Sequence, residues 1–478
     1  MARINTNVGA LIANTNLQKS QKALSLSLQR LSSGLRINTG ADDPAGLIAS
    51  QSLQSEISGL TQAISNSQTA DNVMATADGA LAEVSNLLQS IKGLVVQSAN
   101  TGALSPDEIK ANQLQVDSAI ASITRISNST SFAGLKLLDG SLGYVTSGVV
   151  TSALHDVQIQ GASFGTAATI PVTVNVITSA QQAELDYKAS SITQPLTLQI
   201  TGRLGTQVLS FTSGTTSAEI ATAVNRISDS TGVSASVISA TNPSSGLAFK
   251  TIGYGSKEFV SVQVVGNGTF AAQTTAGAVQ QRAYGQDAVA NINGTQAIGD
   301  GLNLTLNTAS LSMSLNLDAA FGIGSQNFTI NSGGAMFQLG AQVQSNQQVS
   351  IAIDSVAASH LGNYQDGYLS DMVTGGSASL VSGSVGQASR IVDDAITQVS
   401  VLRGRIGAFQ TNTVQTNINS LQVALENVTS SESSIRDVDF AAETSNLTRA
   451  QILTQAGTSV LASANNAPQS VLALLQGH

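Results

Sequence analysis

Apolar residues recur at every third or fourth position towards both ends of the chain and at every second position through its middle, so the period of the pattern already divides the sequence. Near the start, Ile4, Val8 and Leu11, then Leu24, Leu28, Leu31 and Leu35, follow the alternating steps of a coiled-coil stripe. Asn14 and Gln21 interrupt it, which predicts a polar contact or a slip of register there. The helix is expected to stop at Gly40. Asp43 before Pro44 then supplies an N-cap followed by proline at the first helical position. A second helix carries Leu53, Ile57, Leu60, Ile64, Met74, Leu81, Leu88, Ile91 and Val95. As one rod over residues 47–98 it would span about 75 Å at ~1.5 Å per residue, more than a compact enzyme domain needs. Ser105-Pro-Asp-Glu108 combines an N-cap, a proline and an acid to open a third helix through Ile109, Val116, Ile120 and Ile123. Residues 132–139 read as a small strand pair.

The C-terminal end repeats the helical pattern. Val399, Leu402, Ile406 and Phe409 are followed, after a polar gap, by Ile418, Leu421, Leu425 and Val428. A last helix is expected from Asp439 through Leu447, Ile452, Ala456 and Val460, with Asn466-Ala-Pro468 interrupting it before an apolar tip of Val471, Leu472, Leu474 and Leu475. Such a tip on a bare terminus needs something to cover it. From about residue 141 to 380 the alternation has period two, as in Val172-Thr-Val-Asn-Val176, Leu196-Thr-Leu-Gln-Ile200, Leu302-Asn-Leu-Thr-Leu306 and Leu311-Ser-Met-Ser-Leu315. Turns are predicted at Asn293-Gly294 and Ser332-Gly-Gly334, and one helix over residues 217–227. The fold class is therefore α+β: long terminal helices forming coiled-coil bundles around a mainly β insertion of one or two modules.

Composition narrows the function. Of 478 residues, 42% are apolar but only 10% are charged and 4% aromatic, with no Trp, so large aromatic cores are not expected. No run of about 18 apolar residues could span a membrane, so no membrane insertion is expected. A net charge of −9 without a basic stripe argues against nucleic acid as a partner. With no Cys there is no disulfide, thiolate metal site or Cys nucleophile. The N-terminus lacks the apolar core of a cleaved secretory signal. The first 36 residues carry Arg3, Lys19, Lys22, Arg30 and Arg36 without an acid, whereas from Glu426 on the chain carries Glu432, Asp437, Asp439 and Glu443 against Arg436 and Arg449. Opposite bias favours pairing of the two ends, although exposed ion pairs contribute only about 0–1 kcal/mol each, so apolar burial must dominate.

Catalytic patterns are weak. Gly161-Ala-Ser-Phe-Gly165 fits G-x-S-x-G without a clear strand-then-helix around it. The histidines are His155, His360 and His478, and no H-E-x-x-H is present. Gly253-Tyr-Gly255, Gly266-Asn-Gly268 and Gly322-Ile-Gly324 lack the third glycine of a dinucleotide loop. Asp42-Asp43 reads as helix capping rather than a cation site. Neither enzyme activity nor a cofactor or metal is expected.

Met1-Ala-Arg-Ile-Asn-Thr-Asn7, Leu31-Ser-Ser-Gly-Leu-Arg-Ile37, Ala41-Asp-Asp-Pro-Ala-Gly-Leu47, Val96-Gln-Ser-Ala-Asn100, Asp437-Val-Asp-Phe-Ala-Ala-Glu443 and Val471-Leu-Ala-Leu-Leu475 resemble bacterial flagellin, in that family's order. The resemblance covers roughly residues 1–140 and 385–478. The middle shows no comparable match, although Ile252-Gly-Tyr-Gly-Ser-Lys-Glu-Phe-Val260 is similar to a short insertion motif of some flagellins.

The resemblance implies an extracellular subunit that polymerises with copies of itself into the flagellar filament, the propeller of swimming motility. It implies export, unfolded, through the flagellar type III apparatus. An export chaperone, the filament cap and hook-junction proteins would be its further partners. Residues 1–42 and 437–478 would form an inner helical core. Residues 43–140 and 385–436 would form an outer helical rod with a small β hairpin, and residues 141–384 a surface-exposed variable region. The expected assembly interface is Leu24, Leu28, Leu31, Leu35, Leu447, Val460, Val471, Leu474 and Leu475. Flagellins recognised by Toll-like receptor 5 usually carry an Arg-rich stretch with an acid before the Val-Gln-Ser-Ala-Asn motif. Here that patch is degenerate, with Gln89, Ser90, Lys92, Gly93 and Leu94, so weak receptor signalling is expected. Two alternatives stand beside this reading: a hook–filament junction protein, or a filament subunit whose middle region is also an adhesin.

Overall fold

The computed structural model describes residues 6–164, 167–239, 241, 245–308 and 310–476, with side chains described as far as residue 467. Ile4, Gly165 and His478, and the side chains of Val471, Leu474 and Leu475, lie outside the described residues. The helices are α1 (Val8–Ser33), α2 (Pro44–Ser98), α3 (Pro106–Ser129), α4 (Ser217–Asn225), α5 (Ser228–Thr231), α6 (Val385–Ala408), α7 (Thr416–Arg436) and α8 (Phe440–Gln476). The chain divides into two compact units. One comprises Met1–Ser67, Leu339–Gln342 and Thr416–His478; the other comprises Gln68–Gln338 and Val343–Gln415.

In the first unit, α1 and α8 run antiparallel. Asn7 meets Ala464, Ser27 meets Glu443, and Leu35 bridges to Asp437. The apolar pattern predicts a first helix that runs to Gly40, but it ends at Ser33, because Gly34 takes a left-handed conformation (φ 74°) and returns its N–H to the Arg30 carbonyl. Leu35 therefore lies beyond the helix. The loop that follows is held by Asp42, whose carboxylate accepts from the Asn38 and Thr39 N–H groups and the Thr39 hydroxyl. The Thr39 backbone bond, ahead of its hydroxyl, keeps that carboxyl below its usual pKa. Asp43 accepts from the Gly46 N–H at 2.9 Å and opens α2, as its place before Pro44 predicts. Asp439 likewise accepts from Ala441 and Ala442 to open α8. The expected break at Asn466-Ala-Pro468 does not occur, since α8 continues through Pro468 to Gln476.

In the second unit, α2, α3 and α6 bury regular stripes. Leu81, Val84, Leu88, Ile91 and Val95 on α2, Val116, Ile120 and Ile123 on α3, and Val392, Ala395, Val399, Leu402 and Ile406 on α6 are all buried. The reciprocal Ser105–Glu108 capping box opens α3. The polar gap after Phe409 is a π-helical stretch, Phe409–Gln415. Buried positions there step from Phe409 to Val414, one residue longer than a heptad step, and the wider π turn absorbs the extra residue. The small hairpin pairs Ser131–Phe132 with Leu135–Lys136.

The middle resolves into two β modules, one nested in the other. The outer module packs two antiparallel sheets around one core. Its five-stranded sheet centres on Ile170–Thr178 between Val289–Ile292 and Gly324–Gly333, and its four-stranded sheet on Leu311–Leu317 between Asn303–Asn307 and Leu154–Ala162. The nested module, residues 183–284, packs Glu184–Tyr187, Leu247–Thr251 and Val233–Val237 against Leu196–Thr201 and Phe259–Val265, with Ile220 and Val224 of α4 in the same core. Alternating burial along Ile170–Thr178 and Leu196–Thr201 follows the predicted two-residue period.

The chain passes between the modules at close quarters. Gln181 exchanges two backbone bonds with Gln286, and Asp287 accepts from the Ser256 and Gly301 N–H groups. A β-carbon on Gly255 would lie 2.7 Å from the Gly301 backbone, so only glycine fits there. Gly253-Tyr-Gly255 is thus the join of two modules, and Tyr254 packs on the outer module's core.

Candidate assembly surfaces

The α1–α8 pair buries an unusual seam. The seam positions on α1 are Ala10, Ala13, Leu17, Ser20, Leu24, Ser27 and Leu31, with Leu26 and Arg30 half-buried beside them; on α8 they are Glu443, Leu447, Ala450, Thr454, Gly457, Leu461 and Ala464. Both sets step alternately by three and four. Most members are small or polar. A β-carbon on Gly457 would stand 3.2–3.6 Å from Leu17, so glycine sets how closely the helices approach. At one end of the seam, buried Ser27 donates to Glu443 Oε1 at 2.5 Å, and Arg30 lies 3.7 Å from Oε2. The opposite charge bias of the two ends yields this one ion pair between α1 and α8 among the described residues.

More than half of the larger apolar side chains point elsewhere. Val8, Leu11, Ile12 and Leu28 on α1, and Phe440, Ile452, Leu453 and Val460 on α8, are each at least half exposed. Of the expected interface residues, Leu24, Leu31 and Leu447 lie half-buried on the seam, Leu35 is half-buried beyond the end of α1, and Leu28 and Val460 are exposed at 51% and 57%. Counting large apolar residues alone missed Ala10, Ala13, Gly457 and Ala464. Their heptad spacing was the available signal.

The receptor-like patch lies on α2. Gln89, Ser90 and Gly93 are exposed, and Lys92 and Leu94 half-buried. Lys92 Nζ donates to Asp393 at 2.6 Å and to Ser389 at 2.7 Å, both on α6, so its charge is already paired.

A polar cleft of about 1210 Å³ opens in the same unit, lined by both β modules and α6. At its edge His155 stacks on Tyr364 at 3.6 Å and shares a 3.1 Å hydrogen bond with Asp318. The Ala320 N–H and then His155 hold the Asp318 carboxyl below its usual pKa. Ser163 of the G-x-S-x-G stretch follows the strand Leu154–Ala162, and the next element is the strand Ile170–Thr178, not the helix that a nucleophile elbow requires. In the cleft wall, burial and then the neighbouring Asp366 and Asp393 push Asp394 up to about 6.

Heptad helices at both ends, paired with each other and leaving large apolar side chains bare, are the pattern of a structural subunit. The comparisons agree. The bacterial flagellin N-terminal helical region matches residues 4–142, the C-terminal helical region residues 389–475, and the flagellin hook IN motif residues 197–253. The last of these lies on the nested module and overlaps the Ile252–Val260 stretch only at its first two residues. Flagellin of Salmonella rubislaw is 32% identical, with 99% of each chain covered. B-type flagellin of Pseudomonas aeruginosa is 30% identical at the same coverage. Among solved structures, the D1–D2–D3 domains of the flagellar cap protein FliD from Escherichia coli are 21% identical with a TM-score of 0.31, covering 45% of this chain and 64% of that one; at that distance the likeness carries no argument. The chain belongs to the bacterial flagellin family. It is a structural subunit of the extracellular flagellar filament that serves motility.

Proposed function

We propose that the paired α1 and α8 form the inner core of the filament, residues 43–140 and 385–436 its outer helical layer, and residues 141–384 the surface region. The observation that supports this is the division of apolar residues across α1 and α8: the inward seam mixes leucines with Ala, Ser, Thr and Gly, while Val8, Leu11, Ile12, Leu28, Ile452 and Val460 face out. Burying a Leu, Ile or Val side chain is worth about 1.5–3 kcal/mol, so copies that cover these residues on one another gain what a lone subunit forgoes. Many such weak contacts on a helical lattice carry torque.

On the same reading the chain leaves the cell unfolded through the type III apparatus. A chaperone covers the Val471–Leu475 tip beforehand, and the cap and hook-junction proteins meet the same terminal helices. Weak recognition by Toll-like receptor 5 follows from Gln89, Ser90 and Gly93, and from a Lys92 engaged by Asp393. Deleting residues 471–478 tests the reading: polymerisation should be lost while circular dichroism and the thermal transition of the β modules are retained. Filaments of normal length from that truncation would contradict it.

A further inference from the structure

Pro468 stands inside α8, and its effect is felt one turn earlier. In an α-helix the Ala464 carbonyl accepts from the N–H of residue 468, and proline has none to give. The helix nevertheless continues to Gln476. The Ala464 carbonyl is taken instead from the other end of the chain: Asn7 Nδ2 donates to it at 2.6 Å. The same side chain caps α1, since its Oδ1 accepts from the Ala10 N–H at 3.0 Å.

We propose that Asn7 is a positioning residue for filament assembly, fixing the register of α1 on α8 by supplying the hydrogen bond that Pro468 withholds. The position needs a donor and an acceptor on one short arm. Asp offers no donor, and Ser caps a helix without a second arm. A register lock is needed because the seam itself is permissive. Ala13, Ser20 and Ser27 alternate with Leu17, Leu24 and Leu31 on α1, and Ala450, Gly457 and Ala464 recur on α8, so a slip of seven residues would exchange like for like along most of the seam, the close contact of Leu17 with Gly457 excepted. The slip would, however, part Asn7 from Ala464 at one end and Ser27 from Glu443 at the other, leaving polar groups unpaired. Register in turn decides which of Val8, Leu11 and Ile12 stand beside Val460 on the outward surface that a neighbouring copy must match.

A double-mutant cycle in seeded polymerisation tests this, with fragments of parental filaments as seeds and the full chain as the growing subunit. Asn7→Ser should raise the critical concentration about fivefold, the worth of one neutral hydrogen bond. In a Pro468→Ala background the Ala464 carbonyl regains its helical partner, and the same substitution should cost under about twofold. Asn7→Asp, which caps α1 at least as well as Asn, should track Asn7→Ser in the parental background. If Asn7→Ser fails to polymerise at all, Pro468→Ala must restore growth. Equal factors in both backgrounds, no effect in either, failure of that rescue, or a loss seen with Asp but not with Ser would overturn the proposal.

Discussion

The nested β module and the α1–α8 pair bury their side chains in opposite ways. In the module Phe249 is fully buried, with Phe270 edge-on at 5.9 Å and Tyr187 stacked on Phe270 at 3.9 Å, and Leu185, Leu198, Ile200 and Leu247 complete a core of large side chains. In the helical pair the buried positions are Ala13, Leu17, Ser27, Glu443 and Ala450, while Leu and Ile side chains stand in solvent. The module closes a core of large side chains, although Val208, Val279 and Tyr284 stay exposed; the pair leaves most of its large apolar side chains exposed. One chain therefore holds a module with its own large-residue core and a helical pair that, on the proposed reading, its copies complete.

That contrast can be broken from either side. The largest effect belongs to the self-sufficient core. Phe249→Ala should destabilise the nested module by about 3–5 kcal/mol in denaturant unfolding, with polymerisation affected only as far as the module unfolds. Gly457→Val attacks the pair instead. Its side chain meets Leu17 at close range, and overpacking of about 1–3 kcal/mol should separate α1 from α8. Polymerisation should fail while the β transition stays at the parental temperature.

Asp394 gives a smaller effect with a definite sign. Its folded-state pKa of about 6 lies above the ordinary 3.8, so the stability it contributes is complete below about pH 3.8 and lost as pH rises through about 6. Asp394→Asn removes that loss. It should stabilise the second unit at pH 7 by about 1 kcal/mol, after allowance for solvent screening, and change little near pH 3.5. A thermal-melt series across that range measures it. Smallest of all, Leu28→Ser should alter subunit unfolding by less than about 0.5 kcal/mol, as befits an exposed site, yet raise the critical concentration for growth.

Periodicity made much of this legible. The stripes of α2, α3 and α6, the caps at Asp43, Ser105 and Asp439, and the alternation at Val172–Val176 all follow from side-chain chemistry acting within a few residues. Most of what escaped depends on partners distant in sequence. Gly34 sits in a readable Ser-Ser-Gly stop, but the apolar stripe carried on to Leu35 and concealed it. The small-residue seam is invisible to a count of large apolar positions. Pro468 reads as a helix breaker until Asn7 is seen to satisfy the carbonyl it strands. The nesting of residues 183–284 within the outer module rests on the clasp of Gln181, Gly255, Asp287 and Gly301, where the signal is only glycine at positions with no room for a side chain.

Hydroxyl-radical footprinting of Leu28, Ile452 and Val460, carried out on monomeric subunits and on assembled filaments, reads out whether copies of the chain cover the outward face of the α1–α8 pair. These three side chains should be labelled in the monomer and protected in the filament, while Leu185 and Leu247 are protected in both. Equal labelling of Leu28, Ile452 and Val460 before and after polymerisation would mean that copies leave that face uncovered.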